Sequence, residues 1–232
     1  MKGICFIPPL YDATVEERKR QTRRIMVPQP DTIRNIAQYL FDKKPEGIFT
    51  KQYETVAPVY SFPVANHKII NPKYNVGDIL YLKEPYKITH SHNDWYVDYK
   101  FAGEKMELPF SWGHKGLEKL CIQQEKSKSG WLNKLFMPAW CARRFIKIIG
   151  VRAERLQDIT EGDCFREGIE DCDYGGMQCV VYGLREGLFF DELEATPIKA
   201  YAALIDRING KGTWDSNPYV WVYDYELTEK PE

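Results

Sequence analysis

The stretch Arg18-Lys19-Arg20-Gln21-Thr22-Arg23-Arg24 gathers five positive charges into seven residues, on a chain of 232 residues whose formal net charge is -1. A cationic cluster on a neutral background asks for an anionic or polar partner. The cluster also holds one amine, Lys19, and one hydroxyl, Thr22, three residues apart. On a helix that spacing puts both side chains on one side of a turn. If the chain is already extended at Gln21, Thr22 and Arg24 share a strand face instead, because strand side chains alternate. Either arrangement lets a hydroxyl, an amine and a guanidinium converge on one pocket. The plainer reading is a solvated basic face, the commonest fate of such a run.

Composition sets the class. Hydrophobic residues at 44% and charged residues at 28% are ordinary for a globular chain long enough to bury a core. The 15 Tyr and 6 Trp are many, and such rings need either burial or a flat ligand. No apolar run approaches the length of a membrane span, and the N-terminus lacks the long apolar core of a signal peptide, so a cytoplasmic protein with no membrane partner is expected. The six cysteines form no Cys-x-x-Cys pair and read as free, mostly buried thiols. Cys164, Cys172 and Cys179 lie close together but match no common zinc spacing, and His90 and His92 have no third ligand nearby. No metal and no cofactor are expected.

The elements that must position the basic stretch follow from local signals. Residues 3–7 are a short apolar run stopped by Pro8-Pro9, a strand and then a turn. Thr14 with Glu17 resembles a capping box and predicts a short helix running into Lys19, followed by a strand over 22–27. The basic cluster therefore falls at a helix-to-strand junction. Prolines break the pattern between 28 and 72. Asn75-Val76-Gly77-Asp78 is a turn ahead of a strand over 79–82. Trp95 to Tyr99 alternates like a strand, 117–128 leans helical, and 127–130 is a surface loop.

Arg143-Arg144 opens a long strand over 145–154 that is apolar on both faces. Thr160 with Asp163 caps a short helix that Gly168 closes. The acidic region 171–195 reads as a mobile loop. The best helix has Thr196 as N-cap, Pro197 in its first turn and Gly210 at its end, with Ile198, Tyr201, Ala202, Ile205 and Ile208 as its apolar stripe. A strand over 219–227 follows Asn217-Pro218. The expected fold is α+β, mostly β: a small, largely antiparallel β-barrel with short flanking helices, one domain over 1–232, with no internal repeat.

Four blocks in order carry a likeness: 16–24, 76–81, 151–169 (VRAERLQDITEGDCFREGI) and 217–225. Together they resemble the ASCH domain family of the PUA-like β-barrel superfamily. The closer similarity is to a larger type found in phage and prophage genomes, with the same Gln-Thr-Arg-Arg-Ile and Trp-Asp-x-Asn-Pro-x-Val-Trp-Val blocks. The resemblance covers about half the chain, and 28–72 and 86–136 look like insertions into a smaller core. It implies association with RNA or modified nucleosides and, in one bacterial branch, hydrolysis of N(4)-acetylcytidine. That branch uses a lysine, a threonine and a glutamate, which by motif fall on Lys19, Thr22 and Glu167. Its Gly-Arg-Lys-x-x-Thr-x-Arg stretch falls on Glu17, Arg18, Lys19, Thr22 and Arg24. Two departures stand out: Glu17 replaces a glycine and bears on the turn that aims Lys19, and Arg20 replaces a threonine and adds charge at the mouth of the pocket.

Such a set suits amide hydrolysis at an acylated exocyclic amine. Thr22 supplies a hydroxyl, Lys19 its base, Glu167 a proton shuttle, and Arg24 a hold on the oxyanion. Lys19 can act as a base only if its pKa falls below the usual lysine value; neighbouring arginines push it down and Glu167 pushes it up. The alternative is a non-catalytic module for single-stranded RNA or DNA, with Arg18, Arg24 and Arg143 on phosphates and Trp140 and Trp214 stacking on bases. A net charge near zero limits that footprint. A phage structural or host-interaction role is a third reading, which the large insertions suit.

Overall fold

Proline, glycine and polar caps cut the chain into short elements, and a computed structural model of the protein shows what each becomes. It describes residues 1–30, 33–35, 59–61, 68–91, 94–101, 105–108, 116–173, 180–186 and 189–231. The class is α+β and mostly β. The chain opens with β1 (Lys2–Cys5), α1 (Pro8–Val15) and β2 (Gln21–Ile25). Short strands β3 (Ile33–Asn35), β4 (Val59–Ser61) and β5 (Lys68–Ile70) follow, then β6 (Ile79–Lys83), β7 (Tyr86–Ser91), β8 (Asp94–Tyr99) and β9 (Lys105–Leu108). Next come α2 (Leu117–Glu125), the long strand β10 (Phe145–Arg155) and α3 (Glu161–Arg166). The last elements are β11 (Glu170–Asp173), β12 (Val180–Glu186), β13 (Phe189–Glu194), α4 (Pro197–Asn209) and β14 (Tyr219–Thr228).

These divide into two compact units. The first comprises Met1–Asp12, Ile79–Ile146 and Leu227–Glu232, the second Ala13–Asp78 and Lys147–Glu226. In the first, β1 runs parallel to β6 with Lys2 opposite Leu80, and β7, β8 and β9 form an antiparallel meander. Alternation puts Tyr86, Ile88, Val97, Tyr99 and Leu108 on the buried face of that meander, where they pack with Leu120 of α2 and with Met137 and Phe145. The stretch 86–136, expected as an insertion, thus carries much of this unit's core. The other expected insertion, 28–72, lies mostly outside the described residues, as do His92 and Cys179.

In the second unit the order is β10-β14-β2, with β14 antiparallel to β2 and Tyr223 opposite Thr22. Residues 220–223 of β14 are buried on both faces, as a central strand requires. The region expected as a mobile acidic loop instead contains the antiparallel sheet β11-β12-β13. Helix α4 has the signals its sequence carries: Thr196 Oγ1 accepts from the Lys199 amide, Pro197 sits in the first turn, and Gly210 follows at φ +106°. Its buried residues Ala200, Tyr201, Leu204 and Ile205 turn inward, and the helix packs on α3, β12 and β13. Burying Leu204 or Ile205 contributes about 1.5–3 kcal/mol each, and Leu204→Ala would cost about 2–5 kcal/mol.

The sequence suggested a small closed barrel. Among the described residues no closed barrel is found: the outer strands of each sheet do not pair with one another. The helix expected to run from Thr14 into Lys19 is α1, which starts earlier, at Pro8, and ends at Val15. Proline is tolerated in a first helical turn because its missing N–H has no partner there anyway, so Pro8-Pro9 begins this helix rather than blocking it. No helix among the described residues is long and apolar enough to cross a membrane.

Candidate functional site: a buried lysine–glutamate pair

The basic stretch lies in the second unit, in the link from α1 into β2. Two features fix the link. Glu17 takes a left-handed conformation at φ +60°, and the Lys19 amide returns to the Ala13 carbonyl at 2.9 Å. Glu17 thus occupies a conformation that glycine adopts without strain. Beyond it the Arg20 amide donates to the Arg166 carbonyl at 2.9 Å, and the Arg20 carbonyl accepts from the Tyr225 amide at 2.9 Å. The backbone at Lys19-Arg20 is therefore held between the end of α3 and β14.

Glu167 is placed by local chemistry. Thr160 and Asp163 form a reciprocal capping box at the start of α3. Glu167 is the residue at which α3 ends, and Gly168 turns the chain away at φ +100°. Lys19 reaches this end. Its Nζ donates to Glu167 Oε2 at 2.6 Å, to the Glu167 carbonyl at 2.9 Å and to the Gln21 carbonyl at 2.6 Å. The amine is 1% exposed and Glu167 4%. Burial pulls the Lys19 pKa down, Glu167 pulls it up, and Arg24 and Arg23 pull it down again, with a net lowering. Desolvation decides the contest between arginines and glutamate that the sequence left open.

Arg23 is the second cation at this carboxylate. Its side chain is fully buried, with Nη1 3.3 Å from Glu167 Oε1 and Nη2 3.1 Å from Glu154 and 3.2 Å from Asp163. Burial opposes its charge, yet Glu167 and the other carboxylates raise its pKa and keep it cationic. Its Nη1 also donates to Gln21 Oε1 at 2.5 Å, and Gln21 in turn donates to Asp224 at 2.6 Å. Asp163, which accepts from Arg166 at 2.9 Å as well, titrates at about 2: burial raises it, but hydrogen bonds from Thr160 and the charges of Arg23 and Arg166 outweigh burial. Tyr201 of α4 is 1% exposed, and Glu167 is the charge that acts on it most strongly.

The structure thus joins Lys19 to Glu167 across 148 residues of sequence. Thr22 sits on β2, 4% exposed, on the opposite face from Gln21 and Arg23 by strand alternation. Its hydroxyl makes no hydrogen bond among the described residues. Arg24 lies close enough for its charge to act on Lys19 and Tyr201. Arg18 is engaged with Glu16 and Glu170, and Arg20 with Glu17 at 2.9 Å, so the charge expected at a pocket mouth is largely answered. Trp214 is half-buried, its ring edge-on to Tyr201 with centroids 6.3 Å apart.

Arg143 and Trp140, expected to bind substrate, belong to the first unit. Arg143 clasps the buried Glu84 through Nε and Nη2, each at 2.9 Å, and stacks on Tyr99, while Tyr11 donates to the same carboxylate at 2.6 Å. A guanidinium held this way is a structural ion pair. Trp140 packs against that unit's core. Among the described residues no group of three or more His, Cys, Asp or Glu side chains could hold a metal ion. Cys164, buried beside Glu167, has its thiol pushed up to about 12 by burial and is a poor nucleophile.

Arg23 and Tyr201 are the residues that sequence reasoning passed over. Arg23 looked like one more member of a basic run, although its spacing of two from Gln21 put both on one strand face. Tyr201 was counted in an apolar stripe, where a hydroxyl on a buried position was the available signal. Compared with known proteins, the chain matches no family model, no curated protein and no solved structure.

Proposed function

We propose that the second unit carries an ASCH-type, PUA-like ligand pocket for a nucleobase, and that the chain is an amidohydrolase releasing the acyl group of an N(4)-acylated cytidine-type nucleoside. The observation that carries this reading is the Lys19–Glu167 pair, 2.6 Å apart and shut away from solvent. Structural ion pairs are abundant on surfaces, where they need no desolvation. A buried lysine with a lowered pKa beside a carboxylate is the usual equipment of proton transfer.

In this reading the ammonium of Lys19 first passes a proton across the 2.6 Å contact to Glu167, which leaves a neutral amine; the Thr22 oxygen then attacks the acyl carbon and its proton passes to that amine. The bond from the acyl carbon to the exocyclic nitrogen then breaks, and the nitrogen takes a proton relayed by Glu167. Water cleaves the resulting ester, which returns the threonine hydroxyl and releases the carboxylic acid. Arg24 adds positive charge near the developing oxyanion. The ion pairing of Arg18, Lys19, Arg20 and Arg23 weighs against the non-catalytic alternative, a phosphate-tracking module for single-stranded RNA.

The test is turnover of N(4)-acetylcytidine followed by chromatography, with Thr22→Val as the control. Valine matches threonine in shape and leaves the Lys19–Glu167 pair intact. Turnover that falls at least about a hundredfold in the variant supports the assignment. Folded protein that leaves the nucleoside untouched, or a variant as fast as the wild type, removes it.

A further inference from the structure

Two polar atoms in this cluster are buried with nothing to bind. The Nε–H of Arg23 and the hydroxyl of Tyr201 have no hydrogen-bond partner among the described residues. Leaving such a group unmet in the interior forfeits the hydrogen bond it would make in water. Native chains keep few of them, and each calls for a reason. Both here lie within electrostatic reach of one carboxylate: after burial, Glu167 is the largest influence on both Arg23 and Tyr201. Phenylalanine at 201 would bury the same ring on α4 without the orphaned oxygen, so packing alone does not explain a tyrosine.

The chemistry of the two atoms is matched. Arg23 Nε–H can only donate. Burial pushes the Tyr201 phenol well above its usual range, so it stays protonated and can donate too. Two donors suit an acceptor oxygen. That oxygen is neutral rather than anionic, because Glu154, Asp163 and Glu167 already answer Arg23 and its neighbours Lys19, Arg152 and Arg166, which leaves none of these cations unmatched for an anion.

We propose that Arg23 Nε–H, on the face of β2 away from Thr22, and the Tyr201 hydroxyl form a recognition site beside Glu167, each donating to a carbonyl oxygen of a neutral planar ligand. The inference shares Glu167 with the reading above and goes beyond it by naming a ligand chemistry on the Arg23 side: an uncharged, carbonyl-bearing ring, not a phosphate. The half-buried Trp214, edge-on to Tyr201, supplies an aromatic wall next to that site.

The experiment uses the full chain and the Arg23 Nε–H signal in nitrogen–proton NMR, with cytosine, 2-pyridone and inorganic phosphate as probes. The expected result is a saturable shift with the two ring compounds and none with phosphate. Tyr201→Phe should bind the rings roughly tenfold more weakly. It should also melt no lower than the wild type, since it loses a hydroxyl that bonds nothing. A clearly lower melting temperature in Tyr201→Phe would give the hydroxyl a structural partner, and an Arg23 signal that neither ring moves would mean that no acceptor reaches it. Either result overturns the proposal, as does a shift with phosphate alone. Turnover of N(4)-acetylcytidine is scored separately. A ring-induced shift without turnover keeps the recognition site and removes the amidohydrolase. Turnover with an unmoved Arg23 signal and an unchanged KM in Tyr201→Phe does the reverse.

Discussion

Removing both halves of the Lys19–Glu167 pair should destabilise the protein by less than the sum of removing each alone. Lys19 is 1% exposed and its Nζ makes three hydrogen bonds, two of them to Glu167. Glu167→Gln keeps the shape and one acceptor oxygen but takes away the charge facing a buried ammonium. Breaking a buried pair in this way costs about 3–5 kcal/mol, and the retained acceptor places this variant near the lower figure. Lys19→Met strands Glu167, but Arg23 Nη1 remains 3.3 Å away, so a cost of about 2 kcal/mol is expected. The double variant buries neither charge, and its cost should fall short of the sum by about 1–3 kcal/mol. In a chain of this length 1 kcal/mol moves a melting temperature by about 2–4 °C, which puts Glu167→Gln roughly 10 °C below the wild type. Urea unfolding, read by hydrogen exchange at the β2 amides, measures each corner of the cycle. The pH dependence gives an independent check. A lysine pKa lowered on folding means that the unfolded state binds more protons, so this group's contribution to stability rises with pH until the unfolded value near 10.5 is passed. Glu167→Gln removes the influence holding that pKa up and should extend the rise to lower pH. Single variants that each cost under about 0.5 kcal/mol and add without coupling would refute the reasoning, because that is how an exposed pair behaves.

Two further outcomes follow from the same unit. Asp163 titrates at about 2, below its ordinary 3.8, so its contribution is complete above the unfolded value and lost as pH falls through the folded one; Asp163→Asn should erase that step from an acid unfolding curve and cost about 2 kcal/mol at neutral pH. Glu17 sits at φ +60°, and its partner Arg20 is more than half exposed, so Glu17→Gly should hold or raise the unfolding free energy read from urea titration, by up to about 1 kcal/mol; a clear loss would assign the Glu17–Arg20 pair a role that its exposure argues against.

What was legible in the sequence was what is decided locally. The cap at Thr160, the stop at Gly168, and the start and end of α4 involve residues within four or so positions of each other, and each falls where its signal stands. α1 was misplaced because two local signals competed. Pro8-Pro9 reads equally as a stop and as a first turn, while Thr14 and Glu17 imitate a capping box although Glu17 lies past the helix in a left-handed turn. The sheet β11-β12-β13 was missed because acidic residues and glycines hide its alternation. The meeting of Lys19 with Glu167 is expected from the motif likeness rather than from spacing, since nothing local links residue 19 to residue 167. The ion pairs of Arg23 were out of reach for the same reason: its three carboxylates come from β10, from α3 and from the residue that ends α3.

Those pairs change the meaning of the basic stretch. Five cations within seven residues can serve as a footprint for a polyanion only while their charges face water. Here the strand period separates them: Arg20 stays 59% exposed beside Glu17, whereas Arg23, three residues on, is wholly inside and meets Glu154, Asp163 and Glu167. In that network Lys19, Arg23, Arg152 and Arg166 meet Glu154, Asp163, Glu167 and Asp224, four charges against four, so it holds no excess of cations. A phosphate entering it would lose its hydration and gain little attraction. A neutral ring would lose less, and would meet donors already fixed in place by their ion pairs. Charge that looks like affinity in the sequence becomes rigidity in the fold, and rigidity is what a polar site needs to hold an uncharged ligand in one orientation.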